Sequence, residues 1–141
     1  MNIQETISKA TKILERSNIK TSCLDSELLL SKVIKKDRKY IILNSKKNLN
    51  ENYLRNFNKL IDRRKKGEPV AYLTNFKEFW KQKYFINKNV LIPRPDTEIL
   101  VEETLKLYEK EKKLNLLDIG TGSGCLLLSI LKDRKNFMGT G

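Results

Sequence analysis

The chain of 141 residues contains no histidine. That absence removes the imidazole used for most acid–base work near neutral pH, together with Ser-His-Asp and Cys-His triads and the usual zinc chemistry. Cysteine is scarce. Cys23 and Cys125 stand 102 positions apart, too far for a C-x-x-C redox pair and too few for a disulfide framework. No run approaches the ~18 apolar residues of a membrane span, and the opening MNIQETISKATK lacks the apolar centre of a signal peptide. A soluble cytoplasmic protein is expected. Apolar residues make up 39% of the chain, low but sufficient for a core. A chain of this size can bury about two-thirds of its unfolded surface.

What is abundant is positive charge, +12 in total from 29 basic and 17 acidic side chains. It is unevenly spread. Residues 1–66 carry 17 basic and 7 acidic groups, residues 67–91 carry 4 and 2, and residues 92–141 carry 8 and 8. Lys35-Lys36-Asp37-Arg38-Lys39 and Arg63-Arg64-Lys65-Lys66 are clusters able to meet RNA or an acidic protein surface. Yet 22 of the basic residues are Lys, and the chain holds 13 Asn and 13 Ile, the imprint of an AT-rich genome. Nucleic-acid sites favour Arg and interleaved aromatics. The charge pattern therefore reads as a solvated face, and argues against direct nucleic-acid binding.

The front half reads as helices. Ile3, Ile7, Ala10, Ile13 and Leu14 keep a helical spacing that predicts a helix over 2–17. Ser22 is positioned to cap a second helix burying Leu24, Leu28, Leu29 and Val33, with Asp25 near its positive end. A short third helix at 38–43 would bury Tyr40, Ile41 and Leu43. Asn50 starts a fourth, with Tyr53, Leu54, Phe57, Leu60 and Ile61 on one stripe, ended by Gly67 in the left-handed position. Four such helices make a small bundle.

After Gly67 the texture changes. Pro69 opens a turn of helix through Val70–Leu73. Residues 78–80 and 83–86 alternate as strands, and a turn at 87–89 precedes Val90-Leu91-Ile92, giving a hairpin or a three-stranded connector. Pro95 suits the first turn of a helix over 96–113 that faces Ile99, Leu100, Thr104, Leu107 and Tyr108 inward.

One motif carries chemistry. Leu114–Ile119 reads as a strand buried on both faces and ending near Asp118. Gly120-Thr121-Gly122-Ser123-Gly124 follows, and Cys125–Leu131 resumes a helical pattern. Strand, glycine loop and helix together give such a motif meaning. Glycines let the chain turn sharply and let a ligand touch backbone, while free N–H groups at the helix start favour polar or anionic groups. No G-K-[ST] is present, which excludes the ATPase phosphate loop. The spacing G-x-G-x-G departs from the dinucleotide G-x-G-x-x-G, since Leu126 stands where the third glycine would be. A G-x-G-x-G preceded by Asp-Ile resembles motif I of the S-adenosylmethionine-dependent methyltransferases. The plain alternative is a structural turn.

Three stretches extend that likeness. Gly67-Glu68-Pro69-Val70-Ala71-Tyr72-Leu73-Thr74 runs into Glu78-Phe79-Trp80. Leu91-Ile92-Pro93-Arg94-Pro95-Asp96-Thr97-Glu98 comes next, and Asp118 to Gly124 last. In that order and spacing the chain resembles the release factor glutamine methyltransferases of the HemK/PrmC type. The resemblance implies an α-helical bundle, a β-hairpin connector, and then the start of a Rossmann-like α/β class I methyltransferase domain. Its boundaries would be 1–67, 68–92 and 93–141. It implies methylation of the glutamine side-chain amide in the Gly-Gly-Gln loop of peptide chain release factors, S-adenosylmethionine as cofactor, and a basic bundle that helps hold the factor.

By position, the resemblance places Gly120, Thr121, Gly122, Ser123 and Gly124 at the cofactor. Arg94, Thr97 and Glu98 would lie against the cofactor and substrate pocket, with Phe79 and Trp80 near the glutamine. Each has a plain alternative. Phe79 and Trp80 can be core, Glu98 can balance a helix dipole, and Asp118 can orient the loop; Cys125 and Cys23 read as small core residues. The family's Asn-Pro-Pro-Tyr motif, which aims the amide nitrogen, is absent from the 141 residues, and so is the acidic ribose partner ~20 residues past the glycines. No catalytic residue is therefore expected within the chain. It reads as the N-terminal part of a methyltransferase, inactive by itself. Two other classes compete: a basic helical module that binds release factor or RNA without catalysis, and, less well matched, a nicotinamide dehydrogenase.

Overall fold

A computed structural model describes residues 1–141. The chain divides into two compact units, Met1–Thr74 and Asn75–Gly141. The sequence placed its first boundary at Gly67; the divide falls later because the short helix after Pro69 packs with the helices before it.

The first unit is helical: α1 (Ile3–Glu15), α2 (Ser22–Ile34), α3 (Arg38–Leu43), α4 (Glu51–Lys65) and α5 (Val70–Thr74). Local chemistry sets their starts. Asn2 and Glu5 form a reciprocal capping box on α1. Asp37 accepts from the Tyr40 N–H on α3, and Asn50 accepts from the Tyr53 N–H on α4, each at 2.8 Å. Gly67 closes the α4 end with φ +94°, a value that glycine reaches without a Cβ penalty. Phe57, Ile61, Ile3, Leu14, Leu29 and Leu30 form the centre of the core.

Several expectations for this unit are corrected. Thr21, not Ser22, occupies the cap position of α2, and it makes no side-chain bond there. Ser22 is already helical and its carbonyl accepts from the Ser26 hydroxyl. The buried stripe of α2 runs through Leu29, Leu30 and Ile34, leaving Leu24 and Cys23 exposed. Leu43 and Tyr53 are exposed as well, because they stand at the rims of their stripes. Asp25 is buried and its Oδ2 accepts from Arg64 Nε at 2.7 Å. A pairing partner 39 residues away, rather than the helix dipole alone, keeps that carboxylate inside.

The second unit holds an antiparallel hairpin, β1 (Phe76–Phe79) and β2 (Gln82–Phe85), then a 3-10 turn (Pro95–Thr97) leading into α6 (Glu98–Leu107). After these come β3 (Asn115–Leu117), α7 (Cys125–Asp133) and β4 (Met138–Thr140). β3 and β4 are parallel neighbours joined through α7, so the three form a βαβ crossover. Gly139 lets the helix come close: a Cβ there would stand 2.6 Å from Leu127 Cδ1. The guanidinium of Arg134, buried, donates to the carbonyls of Leu105 and Tyr108 and so satisfies the last turn of α6.

Three expectations fail in this unit. Residues 90–92 form no strand; Asn87 holds the turn before them, its side chain accepting from the Asn89 N–H and its carbonyl from the Val90 N–H, and Leu91 and Ile92 continue without regular structure. α6 stops at Leu107 rather than Lys113, and its buried residue is Val101, while Ile99, Leu100, Leu107 and Tyr108 are exposed. β3 is not covered on both faces. Leu117 is 71% and Ile119 88% exposed, since a strand is hidden on both sides only where layers pack on both, and this sheet has two strands.

Candidate functional site

The loop between β3 and α7 is shaped by its glycines. Gly120, Gly122 and Gly124 have φ of +79°, +56° and +73°. Other residues reach that region only at a cost of roughly 1–2 kcal/mol each. The Gly124 N–H donates to the Thr121 carbonyl at 2.8 Å, closing a tight turn, and Gly124 stands as the cap before Cys125. No side chain caps α7, so its first N–H groups face the loop. Above the loop there is space. A Cβ on Gly120 would meet nothing within 4 Å, and one on Gly122 only the Gly120 carbonyl at 3.8 Å.

Asp118 anchors the loop to the sheet. Its N–H donates to the Thr140 carbonyl at 2.8 Å. Its carboxylate Oδ2 is buried and has no hydrogen-bond partner. A buried acceptor without a donor costs about 1–3 kcal/mol, so the position calls for a donor that the protein does not supply. Open space at two glycines, unsatisfied N–H groups at a helix start and an orphaned carboxylate oxygen together describe a cradle for a polar small molecule. Cys125 is buried at the head of α7, as a small core residue.

The aromatic residues sit in the hairpin. Phe79 is buried and meets Tyr84 edge-on, with ring centroids 6.3 Å apart. The Tyr84 hydroxyl and Ser129 Oγ lie 2.7 Å apart in the interior, tying β2 to α7. Burial pushes the Tyr84 phenol pKa up, and the bond to Ser129 partly opposes that. The hairpin turns through Trp80 and Lys81, with φ of +46° and +63°. A two-residue turn of this hand normally uses Asn-Gly, so the bulky pair is strained. Two carboxylates hold it. Glu98 Oε1 accepts from the Trp80 backbone N–H, and Asp133 Oδ2 accepts from the indole Nε1–H, both at 2.9 Å.

Of the residues singled out from sequence, the structure joins Trp80 to Glu98 directly, and Phe79 precedes Trp80 at the end of β1. Thr97 is half-buried in the 3-10 turn, its N–H donating to the Arg94 carbonyl, and the Arg94 side chain is exposed. Asp133, Ser129, Arg134 and Gly139 were missed. Their partners lie 26 to 53 residues away or across the strand pair, and no local periodicity reports such contacts. A glycine inside a strand was the single available hint.

Elsewhere the chain offers less. No group of three or more His, Cys, Asp or Glu could hold a metal, and no helix is long and apolar enough to cross a membrane. A concavity of ≈ 490 Å³ lies among α1, α2 and α3, lined by Ile3, Ile7, Ile41 and Ile42 together with polar side chains that include Gln4, Thr11, Lys12 and Glu27. The basic clusters are partly spent internally: Arg38 pairs with Glu27, Arg63 with Glu68 and Arg64 with Asp25.

The second unit is thus a βαβ crossover with a glycine loop at the head of its helix and an aromatic hairpin tied to that helix. Comparison with known proteins refines this. Residues 5–74 match the PrmC N-terminal domain. The chain is 41% identical over 136 residues to the release factor glutamine methyltransferase of Clostridium acetobutylicum, covering 96% of this chain and 48% of that one. The protein of the same description from Coxiella burnetii is 41% identical over 134 residues, covering 93% and 48%. A bifunctional methyltransferase of Rickettsia conorii is 35% identical over 159 aligned positions, covering 96% and 30%. The chain belongs to the release factor glutamine methyltransferase family. It spans about half the length of the curated relatives it matches.

Proposed function

We propose that the protein transfers a methyl group from S-adenosylmethionine to the glutamine side-chain amide in the Gly-Gly-Gln loop of peptide chain release factors, in the cytoplasm. The observation that carries this reading is the cradle after β3, where open glycines and the orphaned Asp118 oxygen fit a polar cofactor. When bound, S-adenosylmethionine supplies a methyl group on a positively charged sulfur, open to attack by a weak nitrogen nucleophile. Gly120 to Gly124 would hold it by backbone N–H groups and by the space they leave, with Asp118 accepting a donor. Phe79, Trp80, Arg94, Thr97 and Glu98 would form the side that meets the glutamine. Residues 1–67 would recognise the release factor, 68–92 connect, and 93–141 begin the Rossmann-like cofactor domain.

Amide methylation depends on aiming the nitrogen, and that aim comes from groups accepting its hydrogen bonds. The 141 residues contain no Asn-Pro-Pro-Tyr string to do so. By themselves they are expected to bind S-adenosylmethionine in the millimolar range at best and to methylate nothing. A chimera in which residues 1–141 replace the matching part of the Clostridium acetobutylicum relative is expected to methylate a release factor, read by mass spectrometry. A folded chimera that binds release factor without methylating it would support instead the module that binds without catalysis.

A further inference from the structure

The tip of the hairpin is the most constrained point of the second unit. Two consecutive non-glycine residues are left-handed, and the first of them is held at both its backbone and its side chain. The two holding carboxylates come from different elements. Glu98 opens α6, and Asp133 closes α7, the helix whose other end carries the glycine loop. A strained turn persists where its surroundings over-determine it, and here two charged acceptors on two helices do so. The Tyr84–Ser129 bond fixes the same hairpin to α7 one strand away.

We propose that Glu98 and Asp133 are positioning residues: a two-carboxylate latch that holds the Phe79–Trp80 tip in one geometry with respect to the glycine-loop helix. This rests on the methyltransferase reading for what the tip faces. On that reading Glu98 acts through Trp80, its acceptor oxygen committed to a backbone N–H rather than to cofactor. The latch then governs the substrate side of the reaction and leaves cofactor affinity alone.

Trp80 is the sole tryptophan, so its emission and anisotropy in the intact chain report on the tip and nothing else. Glu98→Ala and Asp133→Ala are expected to shift the emission maximum and lower the anisotropy, while Glu98→Gln and Asp133→Asn, which keep an acceptor oxygen, restore both. In the chimera described above, Glu98→Ala is expected to lower kcat for methylation about tenfold or more, with S-adenosylmethionine affinity changed less than twofold by calorimetry. Unchanged Trp80 emission and anisotropy in both alanine variants would overturn the latch. A tenfold fall in cofactor affinity in Glu98→Ala would overturn it too, by making Glu98 a cofactor ligand, as would unchanged kcat. A wild-type chimera that never methylates would defeat the methyltransferase reading, and the fluorescence arms would still decide whether the latch exists.

Discussion

Helices α1 to α5 and the crossover β3–α7–β4 use their apolar residues differently. In residues 1–74 the apolar stripes close on one another, and Phe57, Leu14, Leu29 and Leu30 have almost no exposed surface. In residues 75–141 the packing is thinner. Val101, Phe79 and Ile86 are buried, but Leu117, Ile119, Leu128 and Met138 stand open around a two-stranded sheet. Helices satisfy their backbone bonds internally and need only one covered stripe, whereas strands need neighbours at their edges and layers on their faces. The same chain therefore contains one region built for self-sufficiency and one built around a cradle.

The sharpest way to break this comparison is in the helical core. Phe57→Ala should cost about 3–5 kcal/mol, as for other large-to-small changes at fully buried aromatics, and unfold much of the first unit. A fragment of residues 1–74 should keep its helical circular dichroism, and the same substitution in it should remove most of that signal. Random-coil dichroism from the unsubstituted fragment would show that the first region is not self-sufficient.

Two glycines separate cradle from scaffold in the second unit. Gly122→Val should lower S-adenosylmethionine affinity in the chimera at least about a hundredfold, equivalent to roughly 2.8 kcal/mol, by filling open space at φ +56°. Its melting temperature should fall by only a few degrees. Gly139→Val should do the reverse. Its side chain would enter the Leu127 and Leu131 contact and cost about 1–3 kcal/mol of stability through overpacking. Calorimetry for affinity and thermal melts for stability distinguish the two; equal effects in both assays would erase the distinction.

The smallest effect concerns Tyr84. Its pKa is raised in the folded protein, chiefly by burial, so the folded state favours the neutral phenol. The stabilisation is complete below the unfolded value of about 10 and is lost as pH rises through the folded value. Stability should decline above about pH 10 more steeply in the wild type than in Tyr84→Phe, followed by denaturant melts. Parallel profiles would place the alkaline loss elsewhere.

Much of the first unit was legible because its signals are local. Asn50 announces a helix start by a bond to the residue three positions on, and Gly67 announces an end by its own conformation; Asn2 and Asp37 carry the same local signal, which apolar periodicity does not report. The errors came where rotation of a helix about its axis mattered. The stripes of α2 and α6 were read a residue or more out of phase, exposing Leu24, Ile99 and Leu100. Which apolar residue is hidden depends on where the neighbouring element lies, and composition along one helix does not specify that.

The amino-acid sequence determined the start of α4 at Asn50 and its end at Gly67, the glycine loop between strand and helix, and the family through its LIPRPDTE and glycine strings. Only the tertiary structure decided that Asp25 belongs to Arg64 and that Arg134 closes α6. It also decided that Trp80 is gripped by Glu98 and Asp133, and that Asp118 keeps an oxygen unpartnered at the cradle. The physical reason is one of range. Caps and tight turns are settled by groups a few bonds apart, whereas a buried charge or a strained turn is settled by partners that the folded chain brings from tens of residues away.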